Sequence, residues 1–420
     1  MKLPINETLR KYENHISFHT PAHSGVVSMG EICNTRLDVT ELSYSDNLLV
    51  PENVILESER EVARVYGTQN VIFSTAGATT LVHTAIATLA NRGSFLIVGN
   101  AHKSVFSALR IARAQAVVFH SGNLRETIRR YNVKNLVITS PSYYGNVPKE
   151  MHLLRELRDS CDVKIICDAS HGSHFAFSDK LPVWESDLCD IVIHSLHKTL
   201  PVMTGGAIMH VSDELISRAR ILFSERHTTS PSYPVLCSIE WAVNEFENKA
   251  RAYYEEMYSL INEFKLSIKD TPFSVLNTND FSRLVIVSDY DGGAARDYLE
   301  SVGIYPEMST DNRVVFIVTP YNMHELKSLA SALINAPRME KTPYALSTRV
   351  GESVITFYDE FESVSLNESI GRVSYREVGA YPPGTPLVYS GETISEELVG
   401  MLKLGQSTFG LDKGNILVVK

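Results

Sequence analysis

From about residue 70 the chain alternates short, largely β-branched apolar runs with amphipathic helical stretches, and this rhythm restricts the fold more than any other feature of the sequence. The runs are NVIFST (70–75), SFLIVGN (94–100), AQAVVFH (114–120), NLVITSP (135–141), VKIICDAS (163–170), DIVIHSL (190–196) and GGAIMHV (205–211). Runs this short and this continuously apolar predict strands covered on both faces. Helical patterns lie between the first five, among them ATTLVHTAIATLAN, KSVFSALRIAR, NLRETIRRY and KEMHLLRELRDS. That arrangement predicts βαβ units and a mainly parallel sheet. Only LHKTLPVMT separates the last two runs, which is too short for a helical crossover, so one strand must run antiparallel. The expected fold is α/β, with a large domain built on a mainly seven-stranded mixed sheet.

A long helical pattern from about Pro234 to Lys269 predicts a helix bridging two domains. FSRLVIVSD (281–289) and NRVVFIVTP (312–320), with ARDYLESVG and MHELKSLASALIN, predict a small α/β unit. Past Pro343 the texture changes to strands and tight turns, which predicts a C-terminal α+β unit. The expected division is an N-terminal arm with little core of its own (1–45), a large domain (46–233), the bridging helix with the small domain (234–340), and a C-terminal domain (341–420).

Charge and cysteine usage exclude several classes. With 39 Lys plus Arg against 49 Asp plus Glu, the formal charge of -10 has the wrong sign for neutralising nucleic-acid phosphates. Five cysteines (Cys33, Cys161, Cys167, Cys189, Cys237) without a C-x-x-C fit neither a disulfide framework nor a thiolate zinc site, so reduced thiols are expected. No stretch approaches the roughly 20 apolar residues that span a bilayer, and MKLPINETLRKYENH lacks the apolar segment of a leader. No membrane association and a cytoplasmic location are expected.

The chemistry concentrates in DASHGSH (168–174) and SLHKT (195–199), each at the C-terminal end of a predicted strand, where open α/β sheets hold their ligands. Lys198 follows a strand directly and precedes a Pro- and Gly-rich reversal, a poor place for a solubilising residue. A lysine whose charge is disfavoured by burial is a good amine nucleophile, and Lys198 is the candidate for a Schiff base. An imine with pyridoxal phosphate needs a carboxylate for the ring nitrogen, donors for the phosphate and a flat group against the ring. Asp168 supplies the first, Gly77, Ala78 and Thr79 at a helix N-terminus the second, and His102 the third. Singly, each has a plainer explanation: a turn glycine, a capping histidine, a turn-forming aspartate. In chain order they reinforce one another, since each follows a predicted strand. His171, His174, His194 and His197 also admit a metal-site reading, but no H-E-x-x-H accompanies them, and no metal is assigned.

These segments resemble the bacterial ornithine/lysine/arginine decarboxylase family, among the fold type I (aspartate aminotransferase-like) pyridoxal-phosphate enzymes. The resemblance rests on SFHTPAHSG (17–25), DVTELSYSDNLLVPE (38–52), STAGATT (74–80), GNAHKSV (99–105), SPSYYGN (140–146), DASHGSHF (168–175), SLHKTLPVMTGGA (195–207), TTSPSY (228–233) and GRVSYREVGAYPPGTPL (371–387). It implies Lys198 as the cofactor-bearing lysine, Asp168 as the pyridinium partner, His102 as the stacking histidine and His171 as the histidine of the Asp motif. Ser195 and His197 would be the polar pair beside the lysine, with Ser195 reaching the phosphate. Thr229 and Ser230, in TTSPSY, would lie near a neighbouring subunit's cofactor, which implies a homodimer with shared sites.

The implied activity is decarboxylation of lysine, ornithine or arginine to the amine and carbon dioxide, a step of polyamine metabolism, with Lys198 or His197 returning a proton to Cα. Alternatives are another fold type I activity, such as an aminotransferase or lyase, or a non-catalytic paralogue that binds the cofactor. A diamine-forming site needs an acid for the substrate's second cation. Asp46, Glu377 and Glu392, in or beside family-like segments, are the candidates, although each taken singly reads more readily as a solvated surface charge. The chain departs from the family where the phosphate loop reads Ala76, Gly77, Ala78, Thr79, one hydroxyl short. It also departs in the arm at Pro21, Ala22, His23, Ser24, and in having Ala169 after the key aspartate. It resembles the short form of the family.

Overall fold

A computed structural model describes residues 1–12, 35–184, 186–310, 312–339, 349–380, 384–403 and 408–420. The arm motif with Pro21 to Ser24, Cys33, and Tyr381 to Pro383 lie outside the described residues.

Helix α1 (Pro4–Tyr12) opens the chain, and α2 (Val54–Tyr66) leads into β1 (Asn70–Ser74). There follow α3 (Gly77–Leu89), β2 (Phe95–Val98), α4 (Lys103–Ile111), β3 (Ala116–Phe119), α5 (Leu124–Arg130), β4 (Asn135–Thr139), α6 (Leu154–Cys161) and β5 (Lys164–Asp168). Then come β6 (Ile191–His194), β7 (Ala207–Val211), α7 (Ile216–Ser224) and the long α8 (Tyr233–Ser267). The small unit comprises β8 (Phe273–Val275), β9 (Arg283–Ser288), α9 (Gly292–Ser301), β10 (Met308–Thr310), β11 (Arg313–Ile317) and α10 (Leu326–Ile334). After β12 (Glu352–Ile355), the C-terminal region forms short strands around a helix at Glu396–Lys403.

The large sheet has the order β1-β7-β6-β5-β4-β2-β3-β12. β2 to β6 are parallel, and β7 runs antiparallel to both β1 and β6, as the short connection required. The sheet has eight strands, one more than expected, because β12 returns from the C-terminal region and pairs antiparallel with β3, Ile355 opposite Ala116. That strand pairs with the edge that β3 would otherwise leave open, a role that apolar periodicity upstream cannot signal.

Alternate residues of the central strands enter different cores. Ile97, Val118, Val137, Ile166 and Ile193 join one cluster, while Leu96, Val117, Leu136, Ile165 and Val192 join the other. Each side chain of this kind contributes roughly 1.5–3 kcal/mol by leaving water, and burial on both faces explains why the runs carry no polar alternation. The arm contributes to the first core: Ile5 and Leu9 of α1 are buried, and the amides of Ile5 and Asn6 donate to the buried Glu240 carboxylate of α8 at 2.9 and 3.0 Å. The small unit is an antiparallel sheet, β10-β11-β9-β8, of which the sequence runs foretold only the two long strands. Among the described residues no helix is long and apolar enough to cross a membrane.

Candidate active site

The C-terminal ends of β1, β2, β4, β5 and β6 open onto a cavity of about 430 Å³. Of the residues singled out in the sequence, it brings together Gly77, Ala78, Thr79, His102, Asp168, His171, Ser195, His197 and Lys198. The parallel register explains the convergence. Asp168, the last residue of β5, is level with Thr139 on β4 and Ile193 on β6, so the loops after three adjacent strands emerge at one height.

Lys198 closes the short 3₁₀ turn Leu196–Lys198 and is half-buried. Its Nζ lies 3.1 Å from His171 Nε2, and the other nitrogen of that ring, Nδ1, accepts from Arg283 Nη2 at 2.8 Å. A guanidinium only donates, so the neutral His171 ring carries its proton on Nε2. That N–H faces Lys198 Nζ, which can accept it only as a neutral amine with its lone pair free. The electrostatics agree. Burial, then Arg283, then Lys198 hold His171 well below the ordinary histidine value. Burial lowers Lys198 from its usual value, with Asp168 opposing and Arg283 reinforcing.

The remaining residues suit a phosphorylated pyridine. Asp168 is buried, and its Oδ1 accepts from the Ser170 amide and hydroxyl at 3.2 and 2.5 Å. Ala76 is the N-cap of α3 and offers no side-chain hydrogen bond, so the amides of Ala78 and Thr79, in the first turn of a 13-residue helix, lack the usual capping partner and favour an anion. Gly77 donates its N–H to Gly205 O at 2.8 Å, which ties this turn to the β6–β7 connection. Gly205 has φ +96°, and a Cβ there would stand 2.7 Å from the Thr75 carbonyl oxygen, so only glycine allows the approach. Thr139 Oγ1, on the cavity wall, is buried without a hydrogen-bond partner in the protein. The uncapped helix end, the carboxylate and the lysine around one space fit pyridoxal phosphate.

For His102 the structure shows the capping role, at a residue that also borders the cavity. Its Nδ1 caps α4 by accepting the Ser104 N–H at 3.2 Å. Burial, with a smaller contribution from Lys198, pushes its pKa down to about 4 against the pull of Asp168. Ser195 is buried, its Oγ 3.5 Å from His197 Nδ1, and that nitrogen lies 3.3 Å from Gly206 O.

Other candidates fall elsewhere. Thr229 and Ser230 are exposed and do not line this cavity, although their loop is held near it by the Ser232 N–H to Thr75 Oγ1 bond of 3.4 Å. The three acids proposed for the substrate's far end are all employed structurally, which corrects that expectation. Asp46 accepts the amides of Asn47, Glu52, Asn53 and Ile55, fixing the start of α2. Glu377 is buried against Arg110 at 3.3 Å. Glu392 accepts from Arg349, Ser353 and the Tyr389 amide. The four histidines diverge too: His174 faces Asp280 and Ser282 at 3.1 Å each, and His194 bonds the Ala169 carbonyl.

Sequence reading missed Arg283, Tyr143, Glu307 and Thr385. Arg283 opens an apolar strand of the small unit with no motif around it, and it is 1% exposed behind His171. Gly145, at φ +81°, makes room for it, since a Cβ there would lie 2.7 Å from Arg283 Cβ. Tyr143 and Thr385 sit inside segments quoted for the family resemblance, the signal that could have found them. Glu307 lines the cavity from the approach to β10 and had no motif around it.

Comparison with known proteins agrees with this architecture. The profile of the Orn/Lys/Arg decarboxylase major domain matches residues 3–128 and 115–291, and that of the Orn/Lys/Arg decarboxylase C-terminal domain matches 337–408. Among individual proteins, the chain is 28% identical to the uncharacterized protein YaaO of Bacillus subtilis, over 96% of this chain and 94% of that one. It is 25% identical to an arginine decarboxylase of the same organism, over 95% and 92%. Its fold is similar to that of lysine decarboxylase A from Pseudomonas aeruginosa, with a TM-score of 0.81 at 16% identity, covering 99% of this chain and 80% of that one. The chain belongs to the Orn/Lys/Arg decarboxylase family, whose enzymes are decarboxylases that use pyridoxal phosphate.

Proposed function

We propose that this protein decarboxylates a basic amino acid, lysine, ornithine or arginine, with the cofactor carried covalently by Lys198. The observation that carries the reading is that Lys198, Asp168 and the uncapped N-terminus of α3 border one cavity. Asp168 would hold the ring nitrogen protonated, its orientation set by Ser170. Ala78, Thr79 and Ser195 would hold the phosphate, and His102 would lie against the ring. Bound there, pyridoxal phosphate supplies an electron sink for the pair left when the bond from Cα to the carboxylate breaks.

The chain's own residues govern the protons. Arg283 fixes the His171 tautomer, and His171 Nε2–H keeps Lys198 Nζ an unprotonated amine, able to attack an aldehyde. With substrate in the cavity, the Lys198 amine would return a proton to Cα, or His197 beside it in the same turn would do so. We also propose a homodimer in which the exposed Thr229 and Ser230 reach the second copy's cavity.

Incubating the protein and cofactor with a mixture of lysine, ornithine and arginine tests this reading. Release of carbon dioxide with one matching amine is expected. Accumulation of a keto acid instead, or an unchanged mixture from protein that holds its cofactor, would overturn it.

A further inference from the structure

Among the described residues, two carboxylates line the cavity, Asp168 and Glu307. Asp168 is buried and engaged by Ser170 at the end of β5. Glu307 comes from the small unit, and its backbone is fixed by the β10–β11 hairpin, where its N–H donates to Val315 O at 2.9 Å. The side chain is exposed, and the Tyr143 hydroxyl donates to its Oε1. No lysine, arginine or histidine among the described residues forms an ion pair with it. Tyr143 in turn packs on His171, with ring centroids 4.6 Å apart, and His171 reaches Lys198. The carboxylate is therefore oriented by the same layer that positions the reactive amine, and although Lys198 and Arg283 attract it from a distance, no cation among the described residues stands within ion-pair distance of it.

We propose that Glu307 determines substrate class by binding the distal cation, ammonium or guanidinium, of a basic amino acid, with Tyr143 holding the carboxylate in place. A second cation entering this cavity loses water and needs a counter-charge, whereas an uncharged side chain of equal length gains nothing from one. Asp46, Glu377 and Glu392 cannot serve within this chain, since each is engaged away from the cavity. This inference rests on the proposed decarboxylase reading, but its test reads binding rather than turnover.

Binding of lysine, ornithine and arginine, and of norleucine and norvaline as uncharged counterparts, would be read from the change in cofactor absorbance on rapid mixing, ahead of turnover, with the wild-type, Glu307→Gln and Tyr143→Phe holoenzymes. The glutamine keeps an acceptor for Tyr143 and replaces an exposed side chain, so the fold is preserved. The wild type is expected to prefer the basic ligands. Glu307→Gln should lose about tenfold to a hundredfold in their affinity, the share of one charge-assisted hydrogen bond, with norleucine and norvaline unchanged. Tyr143→Phe should lose a smaller factor with the same selectivity. An undiminished preference for basic ligands in Glu307→Gln, an equal loss for charged and uncharged ligands, or a wild type without preference would overturn the assignment. If preference depends on Glu307 while carbon dioxide is released from none of these compounds, the decarboxylase reading fails and the cation site stands.

Discussion

Replacing Arg283 with methionine interrupts the chain from guanidinium to imidazole to amine at its origin, while keeping much of the side-chain volume. Two consequences can be sized from the structure. The first concerns stability. The Arg283 side chain bonds His171 alone, its Nε and Nη1 are buried without partners, and it forms no ion pair among the described residues. Its loss removes one charge-assisted hydrogen bond, about 1.5–3 kcal/mol, partly offset because a buried charge with two unpaired donors goes with it, while Asp280 keeps the Ser282 amide at 3.0 Å, the Ser282 hydroxyl at 2.6 Å and His174 at 3.1 Å. The second concerns Lys198. Without its donor, His171 can place its proton on Nδ1 and turn a lone pair toward Nζ, which then favours the ammonium form. A charge-assisted hydrogen bond is worth about 1.5–3 kcal/mol, or about one to two pKa units at 1.36 kcal/mol per unit. Arg283 lowers both His171 and Lys198, so its loss moves both upward, while Asp168 and Glu307 already pull Lys198 in that direction. The assay is the rate at which the apoprotein takes up pyridoxal phosphate as a function of pH, followed by cofactor absorbance, with folding checked by circular dichroism. The midpoint of the profile should rise by about one unit in Arg283→Met, and Arg283→Lys should restore part of the shift. A folded Arg283→Met protein with an unmoved midpoint would refute the tautomer argument.

Three other outcomes are expected. His194 is pushed down to about 4 by burial, against an ordinary 6.5, so between those values the unfolded chain binds a proton that the native ring refuses. Stability is then lost as pH falls through this window, by about 2 kcal/mol near pH 5 from this ring alone; urea midpoints at several pH values check it, and a flat profile counts against the neutral, buried ring. Gly205→Ala should destabilise by about 1–3 kcal/mol and weaken cofactor uptake, because the new Cβ meets the Thr75 carbonyl at 2.7 Å; Gly303→Ala, where nothing lies within 4 Å, is the control for positive φ alone. Ala78→Thr should tighten pyridoxal phosphate about threefold to tenfold by restoring a hydroxyl to the phosphate loop, and equilibrium dialysis would expose an unchanged affinity.

The sheet was legible because its strands are buried on both faces and therefore announce themselves as apolar runs. The antiparallel β7 followed from loop length alone. What escaped was set by distant pairing: β12 joins the sheet from beyond residue 350 with a pattern no different from any short exposed strand. The site divides in the same way. Asp168, His171 and Lys198 stand at strand ends in the large domain, where position along the chain already implies convergence. Arg283 and Glu307 reach the cavity from the small unit, and only the packing of that unit against the 140–146 loop brings them there. A distal-cation acid was not legible in the sequence for a related reason. Asp46, Glu377 and Glu392 lie in or beside family-like segments, yet their carboxylates hold a helix start, a buried arginine and a turn.

We propose that Lys198 carries the cofactor opposite Asp168. Borohydride reduction of the holoenzyme, followed by digestion and mass spectrometry, locates the modified lysine directly. The phosphopyridoxyl mass should appear on the peptide containing Lys198 and on no other. The same mass on Lys103 or another lysine, or its absence from protein that retains pyridoxal phosphate, would contradict the assignment.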